Sequence, residues 1–296
     1  MTRLFSIEVA SRENSAEPRL EAGGQLGSYK LLRLLGQGRM GIVFQARREG
    51  NGAAVALKVL REELVGDELY RRRFEREARI ASELDHDHVV PVLDWGEAAG
   101  HLYLAALYVP GVSLSERIAS RGALTVGEAV RLATDLAGAL EALRSRGLVH
   151  RDVKPANVLL DARGAGALTD FGLARSIAET VLTRTGAVVG TVDYLAPELI
   201  RGERASHSSD IYALGCLVYE CLSGSPPFAD KPYVEALVAH VTDEPADLSD
   251  LLPDLPEGIG STVLRALAKD PAQRPGTANE FSRLLQASAK TGQLGA

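Results

Sequence analysis

The sequence predicts an α+β chain of two unequal halves, a small β-rich one carrying a single helix and a larger α-helical one. Three observations lead there. Short β-type runs dominate from Tyr29 to Val109. One helical pattern, about 67–84, interrupts them. After Gly111 the texture turns helical. Strands first and helices afterwards is the order of an α+β architecture.

The β-type runs are Leu31–Leu35, Ile42–Ala46, Val55–Leu60, Val89–Leu93 and Leu102–Val109. Beyond the connector, Thr125 opens a long helix. Glu128 three positions on completes a capping box, and Gly147 closes the helix. Short strands are expected at Leu148–His150, Val158–Leu160 and Ala167–Thr169. Helices follow at about 209–222, 232–242, 259–268 and 277–287. The expected organisation is a flexible tail at 1–28, a small lobe at 29–106, a hinge at 107–111, a large lobe at 112–287 and a tail at 288–296. The first tail mixes charge, Gly, Ala and Ser without periodicity.

Composition narrows the function classes. Of 296 residues, 46% are hydrophobic and 24% charged, which suits a packed core. The net charge of -6 and the lack of a basic block argue against nucleic acid as a partner. No apolar run reaches the roughly 18–20 residues of a membrane helix. Cys216 and Cys221 fall in one helix-like segment and point different ways, so a disulfide is not expected. That reads as a reducing, cytoplasmic setting.

Gly36, Gly38 and Gly41 form a Gly-x-Gly-x-x-Gly loop between two strand patterns. Glycines let backbone N–H groups approach phosphate oxygens closely. A dinucleotide fingerprint would be followed by a helix, whereas a strand follows here. A plain glycine hairpin remains the alternative. Next, Val55-Ala56-Leu57-Lys58 alternates along a strand, with Ala56 and Lys58 on one face. A lysine on an apolar face needs an anion unless it sits on a solvated edge.

Helical phase selects that anion. At about 100° per residue, Tyr70, Phe74, Ala81 and Leu84 fall in a stripe of about 80°, and Glu77 lies near its middle. A carboxylate on a core-facing stripe is costly unless paired. Glu77 is therefore the expected partner of Lys58.

His150-Arg151-Asp152-Val153-Lys154-Pro155-Ala156-Asn157 precedes one short strand, and Asp170-Phe171-Gly172 follows the next. This set suits phosphoryl transfer. Asp152 can accept a hydroxyl proton and Lys154 can sit against the transferred group. Asn157 and Asp170 offer oxygen ligands of the kind Mg²⁺ takes.

Together these residues resemble eukaryotic-like (Hanks-type) protein kinases, and most closely the bacterial Ser/Thr branch, from about Tyr29 to Leu285. The resemblance implies a bilobal protein-kinase fold and an ATP-dependent Ser/Thr kinase using Mg²⁺, with Mn²⁺ as a substitute. It implies that Gly36, Gly38, Gly41, Val43, Ala56, Lys58, Leu107, Val109 and Leu159 bind ATP. Val43, Ala56 and Leu159 would sandwich adenine, and the backbone at Leu107–Val109 would bond to it. Asp152, Lys154, Lys58 and Glu77 would be catalytic, and Asn157 and Asp170 would hold metal. His150, Arg151, Phe171, Gly172, Glu198, Asp210 and Arg274 would support the site, with Arg274 paired to Glu198. Lys154 and Thr191 are similar to the Ser/Thr-specific pattern, and Thr191 would belong to the substrate platform. Thr183 and Thr185 resemble positions phosphorylated in trans, which implies a transient homodimer. A phosphate there would find Arg151.

The chain departs from the family at Arg39, where many relatives have glycine. It departs again at Ala106, where a larger residue often guards the pocket, and at Leu107, where glutamate is frequent. Relatives often continue through a membrane helix, so this is either a soluble kinase or part of a longer chain. The competing readings are a pseudokinase scaffold and a small-molecule kinase of related fold. The first would normally lack one of Lys58, Asp152, Asn157 or Asp170. The second would lack Ala196-Pro197-Glu198.

Overall fold

The structure, a computed structural model, describes residues 20–38, 41–61, 68–170 and 192–291. A six-stranded antiparallel sheet forms the first half: β1 (Gln25–Leu26), β2 (Tyr29–Gly38), β3 (Gly41–Arg48), β4 (Ala54–Leu60), β5 (Val92–Ala98) and β6 (His101–Leu107). Their spatial order is β1-β2-β3-β4-β6-β5. Alternation along β4 sorts its side chains as the sequence predicts. Val55, Leu57 and Val59 enter a core with Tyr29, Leu31 and Phe44, while Ala56 and Lys58 line the opposite face.

Helix α1 (Glu68–Ser82) packs on the sheet through Tyr70, Phe74, Ala78 and Ala81, all buried. These side chains belong to a cluster that runs on into the large half, through Leu84, Val89 and Leu168. The lobes are also stitched by backbone. Val90 N donates to Leu168 O at 2.8 Å, and Leu168 N donates to His88 O at 2.9 Å. This parallel bridge replaces the strand start expected at Val89, so β5 begins only at Val92.

The second half is helical: α2 (Leu114–Arg121), α3 (Val126–Ser145), α4 (Pro197–Ile200), α5 (His207–Ser223), α6 (Tyr233–Thr242), α7 (Leu248–Leu251), α8 (Ile259–Ala266) and α9 (Ala278–Thr291). The capping box of Thr125 and Glu128 is present on α3, and a second one, Ser113 with Glu116, opens α2. Every residue of α5 from Ser209 to Leu222 except Glu220 is buried. A helix apolar on all sides can only sit inside a core. It carries both cysteines, which are buried and free.

A small sheet of β7 (Val112–Ser113), β8 (Val158–Leu160) and β9 (Gly166–Leu168) lies beneath the hinge. Gly111 leads into it because a Cβ there would lie 2.7 Å from the Leu160 carbonyl oxygen.

Three expectations change. Leu148–His150 forms no strand. Its amides are taken elsewhere, Leu148 N by Leu143 O and His150 N by the Asp210 carboxylate. Strand β1 falls within the expected tail 1–28. Helix α9 runs past 287 to Thr291 because its inward face, with Phe281 and Leu285 fully buried, keeps packing on the core. Among the described residues no helix is long and apolar enough to cross a membrane.

Candidate active site

A cavity of about 600 Å³ opens between the lobes. Of the residues expected to bind nucleotide, Gly36, Val43, Ala56, Lys58, Leu107, Val109 and Leu159 line it. Sheet register explains the grouping. Lys58 lies opposite Val43 on one side and Leu104 on the other, and Ala56 lies opposite Ala106. Leu35 and Thr169 line the cavity too and escaped the sequence reading, whereas Tyr108 lies within the expected Leu107–Val109 connector. Leu35 immediately precedes Gly36, and that adjacency was the available signal. Tyr108 is held at the mouth by a 3.0 Å hydrogen bond from Arg33, a contact between distant segments that periodicity cannot reveal.

Gly38 ends β2, Gly41 begins β3, and the two pair with each other. Gly36 and Gly38 have open space where a Cβ would stand. Gly41 does not. Its Cβ would fall 2.0 Å from the Val59 carbonyl oxygen. Its glycine is therefore demanded by strand pairing, whatever the loop binds.

The catalytic-type loop is built on α5. Asp210, 4% exposed, accepts from the backbone N–H of His150 at 2.8 Å and of Arg151 at 2.9 Å, one to each carboxylate oxygen. Burial pushes its carboxyl up to about 7, against the pull of those two N–H groups. The two bonds hold Arg151 in the left-handed region, φ 67°. His150 is fully buried and spans two segments. Its Nε2 faces Thr169 O at 3.2 Å and its Nδ1 faces the Asp152 N–H at 3.3 Å. A carbonyl on one side and an amide on the other select the Nε2–H tautomer.

Asp152 is set by its neighbours. Asn157 Nδ2 donates to Asp152 Oδ2 and to its backbone oxygen, both at 2.8 Å. Lys154 Nζ lies 3.0 Å from the same Oδ2. The Asn157 amide nitrogen is thereby engaged, which leaves its side-chain oxygen for a cation. Thr169 N bonds to Asn157 O at 3.0 Å, bringing the neighbouring Asp170 alongside. Asp170 is left-handed at φ 59°. An amide oxygen and a carboxylate form a hard-donor set that fits Mg²⁺ or Mn²⁺. Arg151, Asp152, Lys154, Tyr194, Leu195 and Leu199 line a shallow groove beside this loop.

The ion pairs differ from expectation. Lys58 Nζ meets Asp170 Oδ1 at 3.0 Å. Glu77 meets Arg151 instead, with both guanidinium nitrogens donating at 2.8 Å. Helical phase did turn Glu77 inward, to 17% side-chain exposure. Arg151 reaches in from the large lobe and offers a planar fork that satisfies both carboxylate oxygens, which one ammonium cannot.

The pair of Glu198 and Arg274 forms at the far side of the lobe, with both contacts at 2.8 Å. Burial alone would raise the Glu198 carboxyl, but Arg274 holds it below the usual range. Phe171, Gly172, Thr183, Thr185 and Thr191 lie outside the described residues, as does Arg39.

Comparison with known proteins places this arrangement. Residues 29–286 match the family model described as protein kinase domain. The chain is 38% identical over 255 residues to the serine/threonine-protein kinase PknD of Mycobacterium tuberculosis, covering 86% of this chain and 38% of that protein. It is 38% identical over 279 residues to PknE of the same species, covering 94% of this chain and 49% of that one. The chain thus spans half or less of the length of these relatives. Among solved structures it is similar to the M. tuberculosis PknI kinase domain, with a TM-score of 0.73 at 35% identity, covering 91% of this chain and 99% of that one.

Proposed function

The chain belongs to the protein kinase family, and we propose that it transfers the γ-phosphoryl group of ATP to serine or threonine hydroxyls of protein substrates. The observation that carries this reading is the state of Asp152. Asn157 fixes its carboxylate, and Lys154 stands 3.0 Å from the same oxygen.

In this reading the Asp152 carboxylate takes the proton of the attacking hydroxyl. Lys154 balances charge that develops on the transferred group. Lys58 orients the phosphates from the small lobe. Asn157 and Asp170 would hold Mg²⁺, which supplies charge neutralisation at the phosphate oxygens when bound. Adenine would lie between Val43 and Ala56 above and Leu159 below, with the Leu107–Val109 backbone beside it. Ala106 leaves the back of that pocket open.

A pseudokinase is disfavoured because Lys58, Asp152, Asn157 and Asp170 are all present. A small-molecule kinase is disfavoured by Ala196-Pro197-Glu198. Two buried free thiols fit a reducing compartment, and a cytoplasmic, signalling role is part of the proposal. So is autophosphorylation at Thr183 and Thr185 through a transient pair of chains.

The test is incubation with labelled ATP, Mg²⁺ and a generic protein substrate, beside Asp152→Asn and Lys58→Met. Label on protein that both variants lose supports the reading. Transfer only to small molecules, or none under any metal, overturns it. Mass spectrometry of the same incubation reads Thr183 and Thr185, and unmodified threonines in an active preparation overturn the autophosphorylation.

A further inference from the structure

Strand alternation would send Arg33 into the small-lobe core together with Leu31, because residues two apart share a face. The structure turns it the other way. The β2–β3 register skips a residue, so that Leu31 pairs with Ala46 and Arg33 with Gln45. Leu32 is the extra residue of a bulge, which re-aims the side chains that follow it. Leu31 stays fully buried, whereas Arg33 is exposed and lines the cavity between the lobes.

Pairing across the sheet extends this row from Arg33 to Gln45, Ala56 and Ala106. Strands β2 and β6 stand three spacings apart in the sheet order, a span of about 14 Å. One side chain cannot cross it, but two long ones meeting tip to tip can. Arg33 Nη2 donates to Tyr108 Oη at 3.0 Å, and Arg33 Nε donates to Gln45 Oε1 at 2.7 Å. Ala56 and Ala106 put no bulk in the way. Bonds at two points fix the plane of the guanidinium. Tyr108 is tied through its backbone as well, its N–H donating to Ala54 O at 3.3 Å. The strand that carries Gly36 and Gly38 is thereby joined to the connector beside which adenine would lie.

We propose that Arg33 is a positioning residue of the nucleotide site, bracing β2 against Tyr108 so that the roof stays closed over the base. Asp152, Lys154 and Asp170 make none of the bonds of this brace. Its loss therefore lets nucleotide leave sooner without slowing the transfer step.

This inference rests on the proposed ATP site, and its test is built to separate the two. Arg33→Ala, Tyr108→Phe and the double variant are compared with the parent in steady-state transfer and in release of a fluorescent ATP analogue. Arg33 is exposed and Tyr108→Phe keeps its ring, so urea midpoints should match the parent's. Each single variant should raise the KM for ATP and the release rate roughly 3–10-fold, while kcat does not fall. The double variant should be no worse than either single one, because each removes the same bond. Adenosine, a competitor without phosphates, should weaken by the same factor. Arg33→Lys should recover only part of the loss, since an ammonium lacks the fork.

Unchanged KM and release in either single variant overturns the brace. So do additive losses in the double variant, a loss with ATP but not with adenosine, or a kcat that falls along with the urea midpoint. In each of these cases the parent still transfers phosphate, and the proposed function stands. A parent that neither binds ATP nor transfers from it overturns the function. A nucleotide-free arm then decides the brace by itself. Hydrogen exchange of β2 amides should rise to the same degree in Arg33→Ala and Tyr108→Phe, and protection equal to the parent's overturns the brace whether or not ATP binds.

Discussion

Arg274 and Glu198 meet fork to fork, 2.8 Å at each contact, with side chains 0% and 4% exposed. The arginine also donates to Ala268 O at 2.8 Å and to Ser208 O at 2.9 Å. One guanidinium thus ties helix α4 to the start of α5 and to the segment before the 3-10 turn Pro271–Gln273. Removing either partner strands a buried charge. Arg274→Met or Glu198→Gln should cost about 3–5 kcal/mol, read by urea unfolding. Arg274→Lys should not restore it, because one ammonium cannot replace the fork.

The glycines of the loop should separate into two kinds. Gly41→Ala drives a Cβ into the Val59 carbonyl and should destabilise the small lobe by about 3 kcal/mol or more. Gly36→Ala meets open space and should leave stability within about 0.5 kcal/mol. Its effect should appear as a higher KM for ATP. Thermal unfolding and steady-state kinetics on the two variants check both outcomes.

Asp152→Asn should lower phosphoryl transfer by about 10²–10⁴-fold while nucleotide affinity holds within about threefold. The carboxylate sits with Asn157 and Lys154, and an amide of the same shape keeps the packing but cannot take a proton. A kcat that falls together with nucleotide affinity would point to lost structure instead.

His240 should make the fold sensitive to acid. It is fully buried beside Phe228, with Tyr212 Oη 2.8 Å from Nδ1 and Lys269 nearby. Burial, and then the Lys269 charge, push its pKa down to about 4. The unfolded chain takes that proton near pH 6.5. Between these values the unfolded state holds more protons, so this residue's contribution is lost as pH falls from about 6.5 through 4. The loss by pH 4 is on the order of 3 kcal/mol. Asp210 acts in the opposite sense, since its raised pKa gives stability that is lost as pH rises through about 7. The comparison is therefore a difference. His240→Gln should gain on the parent protein by about 3 kcal/mol between pH 7 and pH 4, measured by denaturant unfolding at each pH.

Much of the site was legible in the sequence because its chemistry is local. The loop from His150 to Asn157 is one short stretch, and its inner contacts, Asn157 and Lys154 to Asp152, span only a few residues. Strand alternation put Ala56 and Lys58 on one face. Helical phase turned Glu77 inward. None of these required knowledge of the rest of the chain.

Partner choice was another matter. Phase says which way Glu77 points, not which cation stands there, and the sequence expectation of Lys58 gave way to Arg151. Leu148–His150 read as a strand because apolar pattern cannot tell a ladder partner from the Asp210 carboxylate. Gly41 read as a phosphate contact, although the approach of Val59 already requires it.

The sequence by itself determined the two-part α+β order, the inward face of each element and the composition of the catalytic loop, because periodicity and short-range spacing are properties of the chain. Only the tertiary structure decided how four charges from β4, α1 and the large lobe divide into pairs. That choice depends on which fixed post, Arg151 or Lys58, lies within reach of a helix whose position is set by packing.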